Sequence, residues 1–383
     1  MPRRPMLLSP FELRAITLPN RIVIAPMCQY SATDGLADDW HFAHLAKFAI
    51  GRAGLIFTEA SAVEANGRIT HGDLGIWSDA HIEPLKRIAA FLKSQGSVPA
   101  MQLAHAGRKA SMQRPWFGNG PLDAADAARG DRAWEIVAPG DNPVGPGWLQ
   151  PHALTIDELE RIKQSFATAA QRAAQAGFEV LELHSAHGYL LHTFLSPLSN
   201  PRTDEFGGSL ENRMRFPLAV ARAVRAAWPH DKPLFVRISA VDDIEGGWSI
   251  DDSVTYAGEL KKLGVDVIDC SSGGVMGSAT AAAKPLTPRV PGFQLPFAAA
   301  VKSRAGISTM AVGLILDARQ AEAALQAGQA DLIAIGREAL YNPHWPLHAA
   351  QELGADPQFA LWPEQYGWWL TRRQPLIDRV RTG

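Results

Sequence analysis

The chain has 383 residues, of which 46% are hydrophobic and 20% charged, so it can bury a large core. Its formal net charge of −2 gives no electrostatic basis for binding nucleic acid or a membrane surface. The two cysteines exclude a disulfide framework and fit a reducing compartment.

The chain starts with a short basic stretch, residues 1–6, which is not followed by the long apolar core of a signal peptide. Because no apolar run reaches about 18 residues, we expect no membrane-spanning helix. The cytoplasm is therefore the expected location. Residues 7–20 have the pattern of a short hairpin that precedes the first buried strand.

Eight short apolar runs follow, and each is succeeded by a helical pattern. They are residues 22–27, 55–60, 100–104, 180–184, 234–239, 267–271, 310–313 and 332–336. Buried strands that alternate with helices are typical of parallel βαβ units, and eight such units close a (β/α)₈ barrel. We therefore predict an α/β fold of the TIM-barrel class, with the N-terminal hairpin plugging its bottom. The main alternative is an open doubly wound sheet, which usually has an early Gly-x-Gly-x-x-Gly turn that this sequence lacks.

Three helix starts have sequence signals. Thr155 opens a capping box before a long helix rich in Ala, Gln and Arg. Asp317 is predicted to cap a helix over residues 318–326. Either Asp251 or Asp252 is predicted to start the helix that follows the fifth strand and runs to residue 262.

One segment after the third strand interrupts this alternation. Residues 111–151 are rich in Pro, Gly, Trp and Asp and have no sustained period. A loop of that length in a compact domain is more often a functional lid than a linker. No internal repeat or second domain is visible, so residues 1–383 are expected to form one domain.

The fourth apolar run ends in His184 and is followed by His187 and Tyr189. In barrels of this type the active site lies at the carboxyl ends of the strands. Imidazole N–H groups can hold and polarise a carbonyl oxygen, and a phenol can give up a proton. These three side chains suit the reduction of an activated double bond and are the predicted catalytic residues.

The same spacing also allows a metal site. His184 and His187 could be two ligands, with His105 or Glu182 as the third, since Glu182 points to the same side of its strand as His184. Zinc sites need three or four convergent ligands. Two histidines with a tyrosine at one strand end favour an organic reaction, and we predict no metal.

The remaining strand ends indicate a phosphorylated heterocycle. Backbone N–H groups at Gly313 and Gly336, together with Arg337, can cradle a phosphate at the usual phosphate site of these barrels. Gln102 offers an amide that can pair with the edge of a heterocycle. Arg237 offers a fixed cation, which favours negative charge on a reduced ring. Together, these groups indicate a flavin mononucleotide (FMN) site.

Both arginines have a simpler interpretation. Arg337 could close a salt bridge at the rim of the barrel. Arg237 could pair with Asp242, Asp243 or Glu245, which follow it in the sequence.

The cysteines and the tail also allow two readings. Cys28 could be a small core residue, or it could tune the flavin potential through a weak S–H contact, without nucleophilic attack. Cys270 lies inside a strand and is expected in the core. The tail, residues 362–383, contains Trp368 and Trp369, which could cap the fold or mark an interface.

Four motifs at the strand ends resemble the old yellow enzyme family of flavin-dependent ene-reductases, in its bacterial YqjM-like class. They are residues 25–30 (APMCQY), 102–109 (QLAHAGRK), 184–189 (HSAHGY) with its continuation to residue 213, and 335–338 (IGRE). The resemblance covers essentially the whole chain.

This resemblance implies a tightly bound FMN that is reduced by NAD(P)H, and an α,β-unsaturated carbonyl compound as substrate. It implies that His184 and His187 bind the carbonyl oxygen. The flavin then gives hydride to the β-carbon, and Tyr189 gives a proton to the α-carbon. Tyr30 matches a substrate-contacting tyrosine. The positions that match flavin-binding residues of the family are Ala25, Pro26, Met27, Cys28, Ala60, Gln102, Arg237, Gly336 and Arg337.

The chain departs from the YqjM-like pattern at two places. Relatives of that class often have one arginine at the position of Tyr341 and another near the C-terminus that enters a neighbouring subunit. Here residues 365–369 read QYGWW, which resembles the xenobiotic-reductase branch. By resemblance, we expect a homodimer or homotetramer in which the tail, with Trp369 at the substrate, completes the neighbour's active site.

Three other functions share part of the pattern. A flavin-free lyase or isomerase that binds a sugar phosphate would use the same phosphate site, but usually needs a lysine or a carboxylate pair at the strand ends. A larger relative of the dienoyl-CoA reductase kind would need four cysteines for an iron–sulfur cluster. A non-enzymatic scaffold would leave the strand-end residues chemically idle. Visible flavin absorption in the purified protein distinguishes the flavin-free alternative from an ene-reductase.

Overall fold

The computed structural model describes residues 4–277 and 286–382, with side chains up to residue 380. Its strands are β1 (Phe11–Leu13), β2 (Ile16–Leu18), β3 (Ile22–Ile24), β4 (Leu55–Ala62), β5 (Val98–Ala104), β6 (Val137–Ala138), β7 (His152–Ala153), β8 (Val180–Ser185), β9 (Leu234–Ser239), β10 (Val267–Ser271), β11 (Ser308–Ala311) and β12 (Leu332–Ile335).

The α-helices are α1 (Asp39–Ile50), α2 (Ile82–Ser94), α3 (Ala124–Ala128), α4 (Ile156–Gln175), α5 (Leu190–Leu195), α6 (Leu210–Ala227), α7 (Ile250–Lys262), α8 (Leu295–Ala305), α9 (Ala318–Gln326), α10 (Arg337–Tyr341), α11 (Trp345–Glu352) and α12 (Glu364–Thr382). Short 3₁₀ turns occur at Met6–Leu8, Ala65–Gly67, Asp79–His81, Gly107–Lys109 and Pro115–Phe117.

The predicted TIM-barrel fold is confirmed. Eight strands form a closed barrel in the order β10-β11-β12-β3-β4-β5-β8-β9, and every neighbouring pair is parallel. Each strand overlaps one of the eight apolar runs. Such continuous apolar strands are expected where helices cover the outside and packed side chains fill the inside.

The hairpin expected over residues 7–20 is formed by β1 and β2, which pair antiparallel. Leu13 and Leu18 are buried in a cluster with side chains from the starts of the barrel strands, including Val23, Phe57 and Phe235. The hairpin therefore closes the bottom of the barrel, which leaves the carboxyl ends of the strands as the open side.

Two of the three predicted helix starts are confirmed. The Thr155 hydroxyl accepts from Glu158 N and begins α4, and Asp317 accepts from Gln320 N and begins α9. The start of α7 is different, because Ser249 is the N-cap. Its hydroxyl accepts from Asp252 N at 3.2 Å, and the Asp252 carboxylate accepts from Ser249 N at 3.0 Å, so the aspartate is the third residue of the helix and completes the capping box.

The long segment after β5 contains short elements, namely a 3₁₀ turn, α3 and β6. Trp134 anchors it, because its indole N–H donates to Asn66 O at 2.9 Å. Ile136 and the half-buried Trp134 and Trp148 pack in one cluster with Tyr189. The segment therefore covers one side of the open end of the barrel.

The C-terminal tail forms α12, with Trp368 and Trp369 52% and 66% exposed. Within the described ranges, no helix is both long and apolar enough to cross a membrane.

Candidate active site

The turn after β8 brings His184, His187 and Tyr189 together. The backbone of His187 has a φ of 59°, in the left-handed region that few non-glycine residues adopt. Its amide donates to Ser239 Oγ at 2.9 Å, and its carbonyl accepts from Lys109 Nζ at 2.8 Å. These two contacts from neighbouring strand ends hold the strained turn, which is a frequent feature of functional sites.

The three rings form a compact group. The His184 ring centroid lies 5.1 Å from that of His187 and 4.9 Å from that of Tyr189, and both pairs are edge-on. Nε2 of His184 and Nδ1 of His187 face each other at 3.4 Å. The structure thus brings together the three residues that the sequence singled out.

The hydrogen-bond partners of the two histidines indicate their tautomers. His184 Nδ1 accepts from Ala186 N at 3.3 Å, so its hydrogen belongs on Nε2. His187 Nε2 lies 2.7 Å from Ser271 Oγ, which accepts from Gln294 Nε2 at 3.1 Å. Ser271 is then free to donate to His187 Nε2, and the imidazole hydrogen belongs on Nδ1. We infer from these assignments that two N–H donors face the same small space.

The pKa values of these groups favour the neutral forms. Burial and the positive charge of Arg237 hold the pKa of His184 and of His187 well below the usual range. Burial raises the pKa of Tyr189 well above its usual range, and the Cys28 thiol adds to this effect. Two neutral imidazoles and a protonated phenol are therefore expected at neutral pH.

Lys109 lies beneath this group and is fully buried. Its amine donates to the carbonyl oxygens of His187 and Gly274 and lies 5.9 Å from the Tyr189 ring centroid. Burial and the neighbouring Arg108 lower the pKa of Lys109 to about 7. The lysine joins the turn after β8 to the loop after β10.

Gln102 and Arg237 lie inside the barrel, each beside a carboxyl group. Gln102 Nε2 donates to Glu182 Oε1 at 2.7 Å. Arg237 Nε lies 3.0 Å from Asp269 Oδ2, in an ion pair without hydrogen-bond alignment.

The suggested partners of Arg237, namely Asp242, Asp243 and Glu245, were wrong, because Arg237 pairs with Asp269. Asp242 contacts His192 at 2.9 Å and Asp243 contacts Arg289 at 3.3 Å. The physical reason is the strand register, since Asp269 of β10 lies directly opposite Arg237 of β9.

A cavity of about 600 Å³ opens beside these groups at the carboxyl ends of the strands. Its wall includes seven of the residues predicted to bind a cofactor, namely Ala25, Pro26, Met27, Arg237, Gly313, Gly336 and Arg337. Its volume lies within the roughly 300–1,000 Å³ typical of small-molecule sites. Arg337 forms no ion pair with any residue that the structure describes, so its charge is available to a ligand.

The chemistry of this wall fits FMN. Apolar residues that follow β3 line one side, Arg237 supplies a cation, and the backbone at Gly336 is open enough that an added Cβ would meet only Met27 Sδ, at 3.7 Å. Gly313 has a φ of 117°, and a side chain there would collide with Gln294. Glycine is therefore required at Gly313 for the cavity to keep its shape.

Cys28 and Tyr30 lie in the loop that follows β3, near Tyr189. Burial and the Glu59 carboxylate raise the pKa of the Cys28 thiol well above its usual range, so it is a poor nucleophile. The centroid of the Tyr30 ring lies 6.0 Å from that of Trp116, with the two rings edge-on. Burial raises the pKa of Tyr30. Cys270 is fully buried in β10, as predicted. Ala60 of β4 pairs in register with Gln102.

Two predicted positions lie away from this group. Trp369 is on α12, where its ring contacts Trp368 at 4.5 Å. Tyr341 is 86% exposed at the end of α10. The described part of one chain does not bring either side chain to His184 and Tyr189.

Sequence reasoning missed several residues of the site. Ser239 and Ser271 end β9 and β10, so a closer reading of strand ends could have found them. Phe293 and Gln294 line the cavity but follow no recognisable signal in the sequence. Among the described residues, no group of three or more His, Cys, Asp or Glu side chains is arranged to hold a metal ion.

Comparison with known proteins agrees with this geometry. The model of the NADH:flavin oxidoreductase / NADH oxidase family matches residues 6–356. The NADPH dehydrogenase of Geobacillus sp. (strain WCH70) is 46% identical over 352 residues, which cover 91% of this chain and 95% of that protein. A solved structure of morphinone reductase superposes with a TM-score of 0.74 at 26% identity, covering 92% of this chain and 90% of that one.

A structure of 2-naphthoyl-CoA reductase in complex with 2-naphthoyl-CoA superposes with a TM-score of 0.79 and covers 91% of this chain. This chain spans about half of that longer chain, 52% of it. At 24% identity this likeness shows the barrel fold alone.

Proposed function

Because this chain belongs to the NADH:flavin oxidoreductase / NADH oxidase family, the family of the old yellow enzymes, we propose that it reduces the C=C bond of α,β-unsaturated carbonyl compounds and similar electrophiles. It is an oxidoreductase of the ene-reductase type that uses FMN and NAD(P)H and acts on small molecules. We further propose that residues 1–383 form a single FMN-binding domain.

When bound, FMN supplies two-electron chemistry between NAD(P)H and the substrate. The residues proposed to hold it are Ala25, Pro26, Met27, Cys28, Ala60, Gln102, Arg237, Gly313, Gly336 and Arg337. In this arrangement the Arg337 guanidinium and the backbone at Gly336 take the phosphate. Arg237 stabilises negative charge on the ring, since a fixed cation favours the more anionic state.

The proposal depends above all on the two histidine donors that face each other at 3.4 Å. A carbonyl oxygen between His184 Nε2 and His187 Nδ1 would accept from both, and it would satisfy two donors that otherwise oppose each other. Withdrawal of electron density through this oxygen makes the β-carbon of an enone electrophilic. Neutral imidazoles suit this role, because they polarise the carbonyl without giving up a proton.

Tyr189 is proposed to give a proton to the α-carbon. Its raised pKa keeps the hydroxyl protonated at every pH at which the enzyme would work. The ring lies 4.9 Å from that of His184, so a substrate held by the histidines would be within reach. Tyr30, with its ring against Trp116, is proposed to form a wall of the substrate site.

The tail is proposed to act between subunits of a homodimer or homotetramer. Trp368 and Trp369 are more than half exposed, and Tyr341 is largely exposed near the cavity wall formed by Leu340. Monomeric proteins seldom leave adjacent large aromatic side chains in solvent. We propose that Trp369 of one subunit contacts the substrate site of another.

The test is a two-step oxidation experiment. The protein is reduced with one equivalent of NADPH under argon and then mixed with cyclic enones, maleimides, nitroalkenes and the corresponding saturated compounds. We expect reoxidation by the unsaturated compounds only, and weaker binding of phenolic ligands in His184→Ala and His187→Ala. His348→Ala, on α11, is the matched control. Equal reoxidation by saturated and unsaturated compounds would contradict the proposal.

A further inference from the structure

Two carboxyl groups inside the barrel have no part in the reaction proposed above. Glu182 lies on β8, two residues before His184 and on the same face of the strand. Asp269 lies on β10, opposite Arg237 of β9. Both side chains are fully buried. Buried carboxylates are rare unless they are paired, so their charge state needs an explanation.

One cation faces both carboxyl groups. Arg237 forms its 3.0 Å ion pair with Asp269, while Glu182 accepts from the uncharged Gln102. The charged or titratable groups that face the two acids are Arg237, the Cys270 thiol next to Asp269 and the acids themselves. The neighbouring strands place three uncharged side chains beside the two acids, those of Gln102, His184 and Thr309.

Several polar atoms in this cluster lack partners. Glu182 Oε2, both carboxyl oxygens of Asp269 and Thr309 Oγ1 have no hydrogen-bond partner within the described ranges. Two carboxylates and one guanidinium would leave a net charge of −1 in an interior with little water. Arg237 compensates the charge of Asp269, so Glu182 is the carboxyl group whose charge a proton would neutralise.

The direction of the pKa shifts agrees with proton uptake by Glu182. Burial and the Asp269 charge raise the pKa of Glu182 well above its usual range. Burial also raises the pKa of Asp269, although Arg237 opposes this effect. An ionised Glu182 can only accept, so it also holds Gln102 with Nε2 toward the carboxylate.

We propose that Glu182 takes up one proton from solvent when bound FMN is reduced, while Asp269 stays ionised and keeps Arg237 paired. The inference rests on the proposed function, because it places the flavin over Gln102 and Arg237. Reduction by NAD(P)H brings two electrons and one proton, which add one negative charge to the ring. The proton from solvent converts the Glu182 carboxylate to a carboxylic acid, so the total charge is unchanged and Arg237 stays as a cation.

The test is the pH dependence of the midpoint potential of the bound flavin, measured against redox dyes, in the wild type and in Glu182→Gln. The wild type is expected to show a pH range in which two protons accompany two electrons. The variant is expected to take up one proton per two electrons throughout, so its slope in that range is half as steep. The midpoint potentials of the wild type and Glu182→Gln should be equal at acid pH. At alkaline pH the variant should have the more positive potential.

A purely structural role would shift the potential or the FMN affinity equally at every pH. Parallel lines for the wild type and Glu182→Gln would therefore overturn the inference. Asp269→Asn should also lose the steep segment, because Arg237 would then pair with Glu182 and keep it ionised. Asp269→Asn therefore provides the test if Glu182→Gln does not fold.

Glu322→Gln is the matched control, since Glu322 is a buried carboxylate that binds the amides of Met6 and Leu7 at the other end of the barrel. It should retain the wild-type slope. The dissociation constant of FMN from the apoprotein separates the two proposals. A wild type that does not bind FMN would overturn both, whereas binding with parallel lines would overturn only the role of the carboxyl pair.

Discussion

The hydroxyl of Ser271 lies 2.7 Å from Nε2 of His187, and we infer that this contact selects the ring nitrogen on which the histidine holds its hydrogen. Because Ser271 accepts from Gln294, its own hydrogen is free for the imidazole. His187 then presents Nδ1–H toward Nε2–H of His184. A residue of β10 thus contacts a histidine in the turn after β8 that is proposed to bind an oxygen atom, although 84 residues separate the two in the chain.

Ser271→Ala should weaken the binding of phenolic and carbonyl ligands. Loss of the hydroxyl removes a hydrogen bond of about 0.5–1.5 kcal/mol and leaves the His187 tautomer undetermined. The dissociation constant of a phenolic ligand, followed through the flavin spectrum, should rise by roughly threefold to tenfold. Ser272→Ala changes the neighbouring serine, which contacts Arg289, and should bind as the wild type does. Equal affinities in all three proteins would show that Ser271 does not set the tautomer.

Tyr189→Phe should slow the reoxidation of the reduced enzyme by enones while leaving reduction by NAD(P)H little changed. Only the second half-reaction needs a proton at the α-carbon, and loss of a general acid typically costs 10²–10⁴-fold. Stopped-flow measurement of each half-reaction checks this. Tyr256→Phe, at a buried tyrosine beside Ser185, is the control. Unchanged enone turnover in Tyr189→Phe would mean that water or another acid supplies the proton.

Arg337→Ala should weaken FMN binding. A charge-assisted contact to a phosphate contributes on the order of 1.5–3 kcal/mol, so the dissociation constant should rise at least tenfold. Fluorescence titration of the apoprotein with FMN measures this constant. Arg319→Ala, at an exposed arginine on α9, should bind FMN normally. If riboflavin lost as much affinity as FMN in Arg337→Ala, the phosphate would not be the group that Arg337 binds.

Lys109 should make stability depend on pH above neutrality. Its pKa is about 7 in the folded protein and about 10.4 in an unfolded chain, so between these values the unfolded state binds more protons. The free energy of unfolding therefore rises with pH across this range, by up to about 1.4 kcal/mol per pH unit, whereas below pH 7 the contribution of Lys109 does not change with pH.

Urea unfolding from about pH 6 to about pH 9 should show this rise in the wild type and not in Lys109→Met. Lys86→Met, at an exposed lysine on α2, should follow the wild type. Parallel curves for the wild type and Lys109→Met would show that the buried amine keeps its proton, held by the carbonyl groups of His187 and Gly274.

Removal of residues 366–383 should loosen the oligomer and change the enone preference together. Trp369→Ala alone could cost about 2 kcal/mol of association, since aromatic side chains often dominate interfaces. Trp369→Phe keeps a ring and should retain most of the association. Light scattering after size-exclusion chromatography, with enone kinetics, measures both effects. A full-length monomer, or a truncated protein with unchanged kinetics and assembly, would show that the tail only caps its own barrel.

The sequence alone determined the barrel and predicted the centre of the candidate site. Eight apolar runs alternating with helical patterns predicted eight parallel strands, because burial on both faces requires continuous apolar residues. His184, His187 and Tyr189 could be chosen because carboxyl ends of barrel strands share one face. The caps Thr155 and Asp317 were also readable, since a cap acts on amides two or three residues away.

Only the tertiary structure decided which side chains complete that centre. Arg237 pairs with Asp269, across the sheet, and not with the acids that follow it in the chain. The contacts of Ser271 with His187 and Gln294 likewise join separate βα units. Local patterns determine which residues form a strand and which face they occupy. The register in which eight strands close into a ring depends on packing of the whole core, and it is this register that places distant side chains within hydrogen-bond reach.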